Sequence, residues 1–412
     1  MKNLNKEDYK ICIVGLGYVG LPLAARFSLK GFNVTGFDIK EERINQLVNK
    51  IDINNDISDK NLESLVKNSK LTSNIDDIKE CNIYIVTVPT PINEDKTPDL
   101  KPLIEASKVV GSIMAKGSIV IYESTVYPGV TDEVCTPILK ESSNLNFNEE
   151  FSTGYSPERI VPGDRVNTIE KLKKVVSASN ENALNIISFL YSSIIDAGIH
   201  KASSIKVAEA AKVTENIQRD VNIALINEMH QLYKSIGIST NEVIEAASTK
   251  WNFMKLMPGM VGGHCIGIDP YYLLHKSKMS GYKPTIMSAA RKLNDSMHEW
   301  VLSDFLKYAS SLKLDLKTKK VTIFGYTFKE NCNDTRNTKV KDLIYSMLKI
   351  GLIVELWDPM ISEEDHTSLN AIGVETYKKE PKNLDIIFLC VRHEQIINFL
   401  NKYNGPIYDY RT

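Results

Sequence analysis

Lys10-Ile11-Cys12-Ile13-Val14-Gly15-Leu16-Gly17-Tyr18-Val19-Gly20-Leu21-Pro22-Leu23-Ala24-Ala25-Arg26-Phe27-Ser28-Leu29 reads as a buried strand, a GxGxxG turn and a helix. In that arrangement Gly15 makes the turn, Gly17 admits a pyrophosphate against the backbone, and Gly20 lets helix and strand pack. The helix N-terminus adds free N–H groups and a favourable dipole. GxGxxG alone is weak evidence, but here a second strand, Asn33-Val34-Thr35-Gly36-Phe37, ends in Asp38, where a carboxylate would bind a ribose 2′-hydroxyl. Asp38 would repel a 2′-phosphate, so the pattern predicts NAD rather than NADP. The bland alternative is a glycine turn with a capping Asp.

Outward from this unit, strands at Asn82-Ile83-Tyr84-Ile85-Val86-Thr87-Val88 and Ser118-Ile119-Val120-Ile121-Tyr122, with helical stretches between, predict a doubly wound parallel sheet. Ligands of such sheets bind beyond the carboxyl ends of the strands. The loops there, Pro89-Thr90-Pro91 and Glu123-Ser124-Thr125-Val126-Tyr127-Pro128-Gly129, are therefore expected to flank the nicotinamide, although each alone is an ordinary turn. Phe151 to Gly163 reads as a loop carrying Glu158 and Arg159, with a surface turn as the default.

From Ser203 the chain passes Glu209, Lys212, Glu215 and Arg219 without Pro or Gly until Gly237, which predicts a long helix. Lys212 and Asn216 are four apart and share a face, as do Glu215 and Arg219. Such a face is either a solvated stripe or an interdomain helix feeding a site. A helical stretch from Asn241 to Ser248 leads through Trp251, Phe253 and Gly259 to Gly262-Gly263-His264-Cys265-Ile266-Gly267-Ile268-Asp269-Pro270-Tyr271-Tyr272. A cysteine between glycines, with His and Asp nearby, suits a reactive thiol; an inert Cys in a tight loop is the alternative. Residues 284–313 look helical. Strands at 320–325, 352–359 and 385–391 then make another α/β unit without a second GxGxxG. Its first strand opens into Tyr326–Thr338, where Lys329 and Arg336 suit phosphate.

Composition restricts the possibilities. The chain has 412 residues, enough for two or three cores, with 43% hydrophobic and 25% charged residues and a formal net charge of −1. No nucleic-acid footprint follows, and any anionic ligand must be met locally. The polar start, Met1 to Lys10, is neither a signal peptide nor a spanning helix, so a soluble cytoplasmic protein without membrane partners is expected. The six cysteines have no CxxC pair and no zinc-like spacing, so no metal is expected. Cys12, Cys81 and Cys390 read as core and Cys135 as helical; only Cys265 and Cys332 have polar, loop-like surroundings.

In order along the chain stand Gly15–Gly20 with Leu21-Pro22-Leu23-Ala24, Val88-Pro89-Thr90-Pro91, Glu123-Ser124-Thr125-Val126, Ser156-Pro157-Glu158, Lys212 with Asn216, Gly262-Gly263-His264-Cys265 with Asp269-Pro270, and Phe328-Lys329 with Asp334-Thr335-Arg336. The chain thereby closely resembles the UDP-glucose/GDP-mannose dehydrogenase family over nearly its whole length. The resemblance implies an α/β fold: two Rossmann-like doubly wound domains, residues 1–203 for NAD and 313–412 for UDP, joined by a central long-helix dimerisation domain, 204–312, carrying the Cys loop. It implies oxidation of a nucleotide sugar's C6 alcohol to a carboxylate with two NAD⁺ and one water, through a Cys265 thiohemiacetal and thioester.

By the same resemblance, Lys212 and Asn216 would stabilise the oxyanion and hold water, Asp269 would act as base or water orienter, Thr125 would place water, and Glu158 would handle acid/base or water steps. NAD would meet Gly15, Gly17, Tyr18, Val19, Gly20, Asp38, Arg43, Pro89, Thr90, Ser124, Thr125 and Lys339. The UDP-sugar would meet Glu158, Arg159, Lys212, Asn216, Arg219, Phe253, Gly259, Gly262, Phe328, Lys329 and Arg336. Pro162 stands where the glucose branch has a second Glu, and His264 where it has Ser. The Ser-Pro-Glu-Arg-x-x-Pro-Gly pattern that Pro162 completes resembles the N-acetylhexosamine branch, and within it residues 155–160 and 264–272 resemble the members with UDP-N-acetylglucosamine or UDP-N-acetylgalactosamine as substrate, for surface polysaccharide synthesis. UDP-N-acetylmannosamine, UDP-glucose, a two-electron 3-hydroxyacid-type dehydrogenase and a non-enzymatic nucleotide sensor are the competing readings. A homodimer or higher assembly through the central helix is expected.

Overall fold

The strand that precedes the glycine turn, β1 (Lys10–Val14), lies between two parallel neighbours, β2 (Asn33–Phe37) and β4 (Ile83–Val86), in a computed structural model that describes residues 4–54, 56–160 and 168–412. The first three residues of the polar start lie outside the described residues. The sheet continues through β3 (Lys70–Thr72), β5 (Ser118–Tyr122), β6 (Phe151–Tyr155), β7 (Lys174–Ala178) and β8 (Ile199–Lys201), in the order β3-β2-β1-β4-β5-β6-β7-β8. All pairs are parallel except β6 with β7. The order reverses at β1/β4, the switch point where ligands of such sheets bind. β1 and β4 are apolar runs because a parallel strand is covered on both faces; Ile11, Ile13, Ile83 and Ile85 are fully or almost fully buried against Phe27 and Leu23 of helix Gly20–Leu29.

A second sheet holds β9 (Lys320–Phe324), β10 (Ile353–Trp357), β11 (Glu375–Tyr377), β12 (Ile386–Leu389) and β13 (Ile407–Asp409), all parallel, in the order β11-β10-β9-β12-β13. Its core is built from Ile323, Leu343, Leu356, Phe388 and Phe305, the last from helix Thr285–Ser311. Both sheets are thus doubly wound α/β arrangements, and a 31-residue helix, Ile205–Ser235, stands between them in sequence. The chain divides into two compact units, Met1–Glu215 with Tyr271–Ser280 and Asn216–Pro270 with Gly281–Thr412.

Phe151–Tyr155 is a strand where the sequence suggests loop. Its Ser, Thr and Gly dilute the apolar signal, but the β5 register and the close approach of Ile187, whose Cδ1 lies 2.3 Å from where a Gly154 Cβ would stand, make the glycine part of the packing. Cys332 also differs: it lies in a loop but is buried. Cys12, Cys81, Cys135 and Cys390 are buried as well, with burial pushing the Cys135 thiol up to about 12, so among the described residues Cys265 alone of the cysteines is not buried.

Candidate functional site

In the first unit the glycine turn has the geometry a dinucleotide requires. Gly15 takes φ +96, and a Cβ on Gly20 would stand 1.9 Å from the Gly15 carbonyl oxygen, so helix and strand can close only on a glycine. A Cβ on Gly17 would meet nothing within 4 Å: the chain leaves that face open as a cradle. Asp38 accepts N–H bonds from Leu16 and Lys40, both at 2.9 Å, which fixes its carboxylate at the end of β2 beside the turn. These residues fit NAD. Arg43 is buried beneath them, with Nε on the Leu16 carbonyl at 3.1 Å and its guanidinium beside Asp52 and Asp56. It therefore braces the turn that carries Tyr18 and Val19.

The loops after β4 and β5 are tied to this frame. Thr87 Oγ1 donates to the Val14 and Gly15 carbonyls, and Ser124 Oγ donates to the Val88 carbonyl at 2.6 Å. Tyr272 shares its hydroxyl proton between the carbonyls of Thr90 and Pro91, which follow Pro89. Glu209, fully buried on helix Ile205–Ser235, accepts N–H bonds from Gly129 at 2.5 Å and Thr131 at 2.9 Å, closing the loop that holds Thr125. Burial pushes this carboxyl up to about 7, against those two hydrogen bonds.

One turn after Glu209, Lys212 is buried, its ammonium 3.9 Å from the buried Glu158 carboxylate, an ion pair rather than a hydrogen bond. Glu158 also accepts the Ile160 N–H. Arg159 is held by Glu215 at 2.6 Å and the Lys173 carbonyl at 2.7 Å. The structure thus brings Glu158 and Lys212 together and sets Arg159 on their rim. Pro162 and Gly163 lie outside the described residues.

In the second unit Asn216 donates from Nδ2 to Asp269 Oδ2 at 2.6 Å, and the Ile268 and Asp269 N–H groups donate to the Cys265 carbonyl at 3.0 and 2.8 Å. Asp269 is buried and opens helix Asp269–Met279; Cys265 is half-buried. Asn227 clamps Gly259 through both N–H and carbonyl. Phe253 is half-buried, whereas Arg219 is exposed on the helix.

The loop after β9 packs against the cysteine loop. Cβ atoms on Gly262 and Gly263 would stand 2.9 Å from the Asn337 carbonyl and 3.0 Å from the Phe328 ring. Lys329 lies over that ring, 5.7 Å from its centroid. Arg336 lays its fork on Asp334, and His264 Nε2 meets the same carboxylate at 2.7 Å. Lys339 is engaged by Asp295 and Asp342. Beneath the loop, the buried Asp358 carboxylate accepts N–H bonds from Tyr326 and Thr327 and a bond from His393 Nε2. Sequence reasoning missed Glu209, Asn227, Asp358, His393 and the His264–Asp334 bond as structural partners of the site. Among the described residues no group of three or more His, Cys, Asp or Glu is disposed to hold a metal, and no helix is long and apolar enough to cross a membrane.

Three family models match in succession: the NAD binding, central and UDP binding domains of the UDP-glucose/GDP-mannose dehydrogenase family, over residues 9–195, 206–296 and 322–411. The chain is 48% identical over 412 residues to the UDP-N-acetyl-D-glucosamine 6-dehydrogenase of Pseudomonas aeruginosa, covering 98% of this chain and 96% of that protein. Against the enzyme of that name from Salmonella typhi the identity is 47%, covering 94% and 91%. Among solved structures, the UDP-D-ManNAc dehydrogenase of Pyrococcus horikoshii superposes with a TM-score of 0.85 at 28% identity, covering 94% and 90%.

Proposed function

This chain belongs to the UDP-glucose/GDP-mannose dehydrogenase family and is an NAD-dependent UDP-sugar dehydrogenase, and within that family we propose that it oxidises the C6 hydroxyl of a UDP-N-acetylhexosamine, GlcNAc or GalNAc, to the uronic acid. The N-acetylhexosamine assignment is supported by the names of the relatives at 47–48% identity. The four-electron course is supported by one observation above others: Cys265, among the described residues the one cysteine that is not buried, lies on a loop pinned by Asp269, which is itself bonded to Asn216.

Gly15, Gly17, Gly20 and Asp38 would hold NAD, which when bound would supply the acceptor for each hydride. The Cys265 thiolate adds to the C6 aldehyde, and the Lys212 ammonium and Asn216 amide stabilise the oxyanion so formed. Departure of the second hydride leaves a thioester on Cys265. Water breaks that C–S bond, with Glu158 or Asp269 taking its proton and Thr125 helping to orient it, and the thiolate returns. The balance is one alcohol and one water in, and one carboxylate, two hydrides and three protons out. Lys329 and Arg336 bind the diphosphate, and Phe328, Gly262, Gly259, Phe253, Arg159 and Arg219 bound the remainder of the substrate. The product enters a surface polysaccharide.

The test is NADH yield over UDP-glucose and the three UDP-N-acetylhexosamines. Two NADH per UDP-N-acetylglucosamine or its galacto epimer are expected; one NADH with free aldehyde sinks the four-electron course, and preference for the manno epimer shifts the substrate to that of the Pyrococcus neighbour. Cys265→Ser should stop turnover or trap an intermediate, whereas unchanged turnover favours a two-electron dehydrogenase. A homodimer is part of the proposal, supported by the exposed Leu225, Leu232, Ile236 and Trp251, the last 92% exposed. Sedimentation as a monomer at assay concentration would remove it.

A further inference from the structure

We propose that Asp334 and His264 form a coupling joint through which a nucleotide diphosphate at Arg336 sets the position of the Cys265 loop, making both positioning residues for the reaction. This rests on the roles of Arg336 and Cys265 given above. The Asp334 carboxylate is shared: Oδ1 accepts from the Arg336 backbone N–H at 3.0 Å and from Nε at 2.9 Å, while Oδ2 accepts from Arg336 Nη2 and His264 Nε2, each at 2.7 Å. Burial works against its charge, but the bonds from His264 and Arg336 hold it well below the usual carboxylate range. An anion accepts only, so His264 Nε2 carries the proton.

The two sides of the joint differ. Arg336 has a side chain 56% exposed, open to ligand, whereas Asp334 and His264 are 10% and 18% exposed. A diphosphate presents oxygens that compete for the same guanidinium fork. When they take it, Asp334 keeps His264 as its side-chain partner, and His264 is covalently next to Cys265. The intervening backbone has little room to absorb the change. Gly262 and Gly263 lie flat on Asn337 and Phe328, and Asn337 Nδ2 donates to the Gly263 carbonyl at 3.3 Å. On the other side the Cys265 carbonyl is fixed by Ile268 and Asp269. A change of partner at Asp334 is therefore passed to the thiol rather than dissipated in a slack loop.

The readout is iodoacetamide alkylation of Cys265 in the full chain, followed by mass spectrometry with and without UDP; the other five cysteines are buried. Saturating UDP should change the native labelling rate by about fivefold or more, and by less than about twofold in His264→Phe and Asp334→Asn. UDP affinity of His264→Phe, measured by calorimetry, should stay within about fivefold of native. His264→Gln, whose amide still donates to Asp334, should keep most of the response, which separates positioning from bulk. In turnover, His264→Phe should lower kcat by roughly tenfold with KM for the UDP-sugar little changed. A full UDP response in His264→Phe overturns the coupling, because it means UDP shields the thiol directly; so does a native chain whose labelling ignores bound UDP. Unchanged turnover in Cys265→Ser would instead overturn the underlying reading of the thiol.

Discussion

Asn216 and Asp269 meet side chain to side chain at 2.6 Å, and the N–H of the same Asp269 holds the Cys265 carbonyl at 2.8 Å. A residue of the long helix is thereby fixed to the residue that fixes the cysteine loop. Because Asp269 is 1% exposed, its carboxylate depends on such donors for solvation.

Removing the donor should therefore cost chemistry more than binding. Asn216→Ala is expected to lower kcat by about 10²-fold with UDP affinity near native, since an oriented oxyanion donor is worth that much. Steady-state kinetics beside UDP calorimetry checks this, and a loss confined to KM would refute it.

The two glycines of the turn should fail differently. A Cβ on Gly20 would stand 1.9 Å from a carbonyl oxygen and 2.5 Å from Thr87 Oγ1, so Gly20→Ala should disrupt folding of the first unit. Gly17→Ala meets no protein atom and should melt within about 2 °C of native while losing about tenfold or more in NAD affinity. Equal losses of stability in both would show that Gly17 serves packing alone.

Glu209 gives a pH dependence with a definite sign. Folding raises its carboxyl from 4.5 to about 7, chiefly by burial. A raised acid favours the folded state while protonated, so its contribution is full below pH 4.5 and is lost as pH rises to about 7. The loss is on the order of 3 kcal/mol. Urea unfolding at about pH 5 and about pH 8 should show native stability falling relative to Glu209→Gln; an identical difference at both pH values would contradict the assignment.

Arg291 is 2% exposed, with Asp220 at 2.5 Å and Asp295 at 2.6 Å. Burial raises the Asp220 carboxyl despite this neighbour. Arg291→Leu strands that charge and should destabilise by about 3–5 kcal/mol, and adding Asp220→Asn should recover roughly half. Denaturation of the single and double variants decides it: strictly additive losses would mean the pair is not coupled.

What the sequence made legible were features with local causes. The Gly15–Gly20 turn needs glycines at fixed offsets, and helix Ile205–Ser235 lacks any breaker, so both could be read within a few residues of their ends. The strand at Phe151 was hidden because Ser152, Thr153 and Gly154 carry no apolar alternation; its β5 partner makes it a strand. Glu209 looked like any helical glutamate, for its two amides are 78 and 80 residues away. His264 and Asp334 are 70 residues apart and each was part of a visible motif, but their bond follows from the packing of two loops, which no local pattern encodes. Arg219 shows the converse: its position four after Glu215 was visible, and the helix turns it to solvent.

Asp358 and His393 hold the first half of the Tyr326–Thr338 loop from outside it, and Thr338 caps helix Lys339–Lys349 at its end. A segment bracketed in this way has ends whose anchors do not depend on its nucleotide-facing side chains. Its interior still meets the cysteine loop through Phe328, Asp334 and Asn337, so a change of nucleotide preference has to be made around those three contacts.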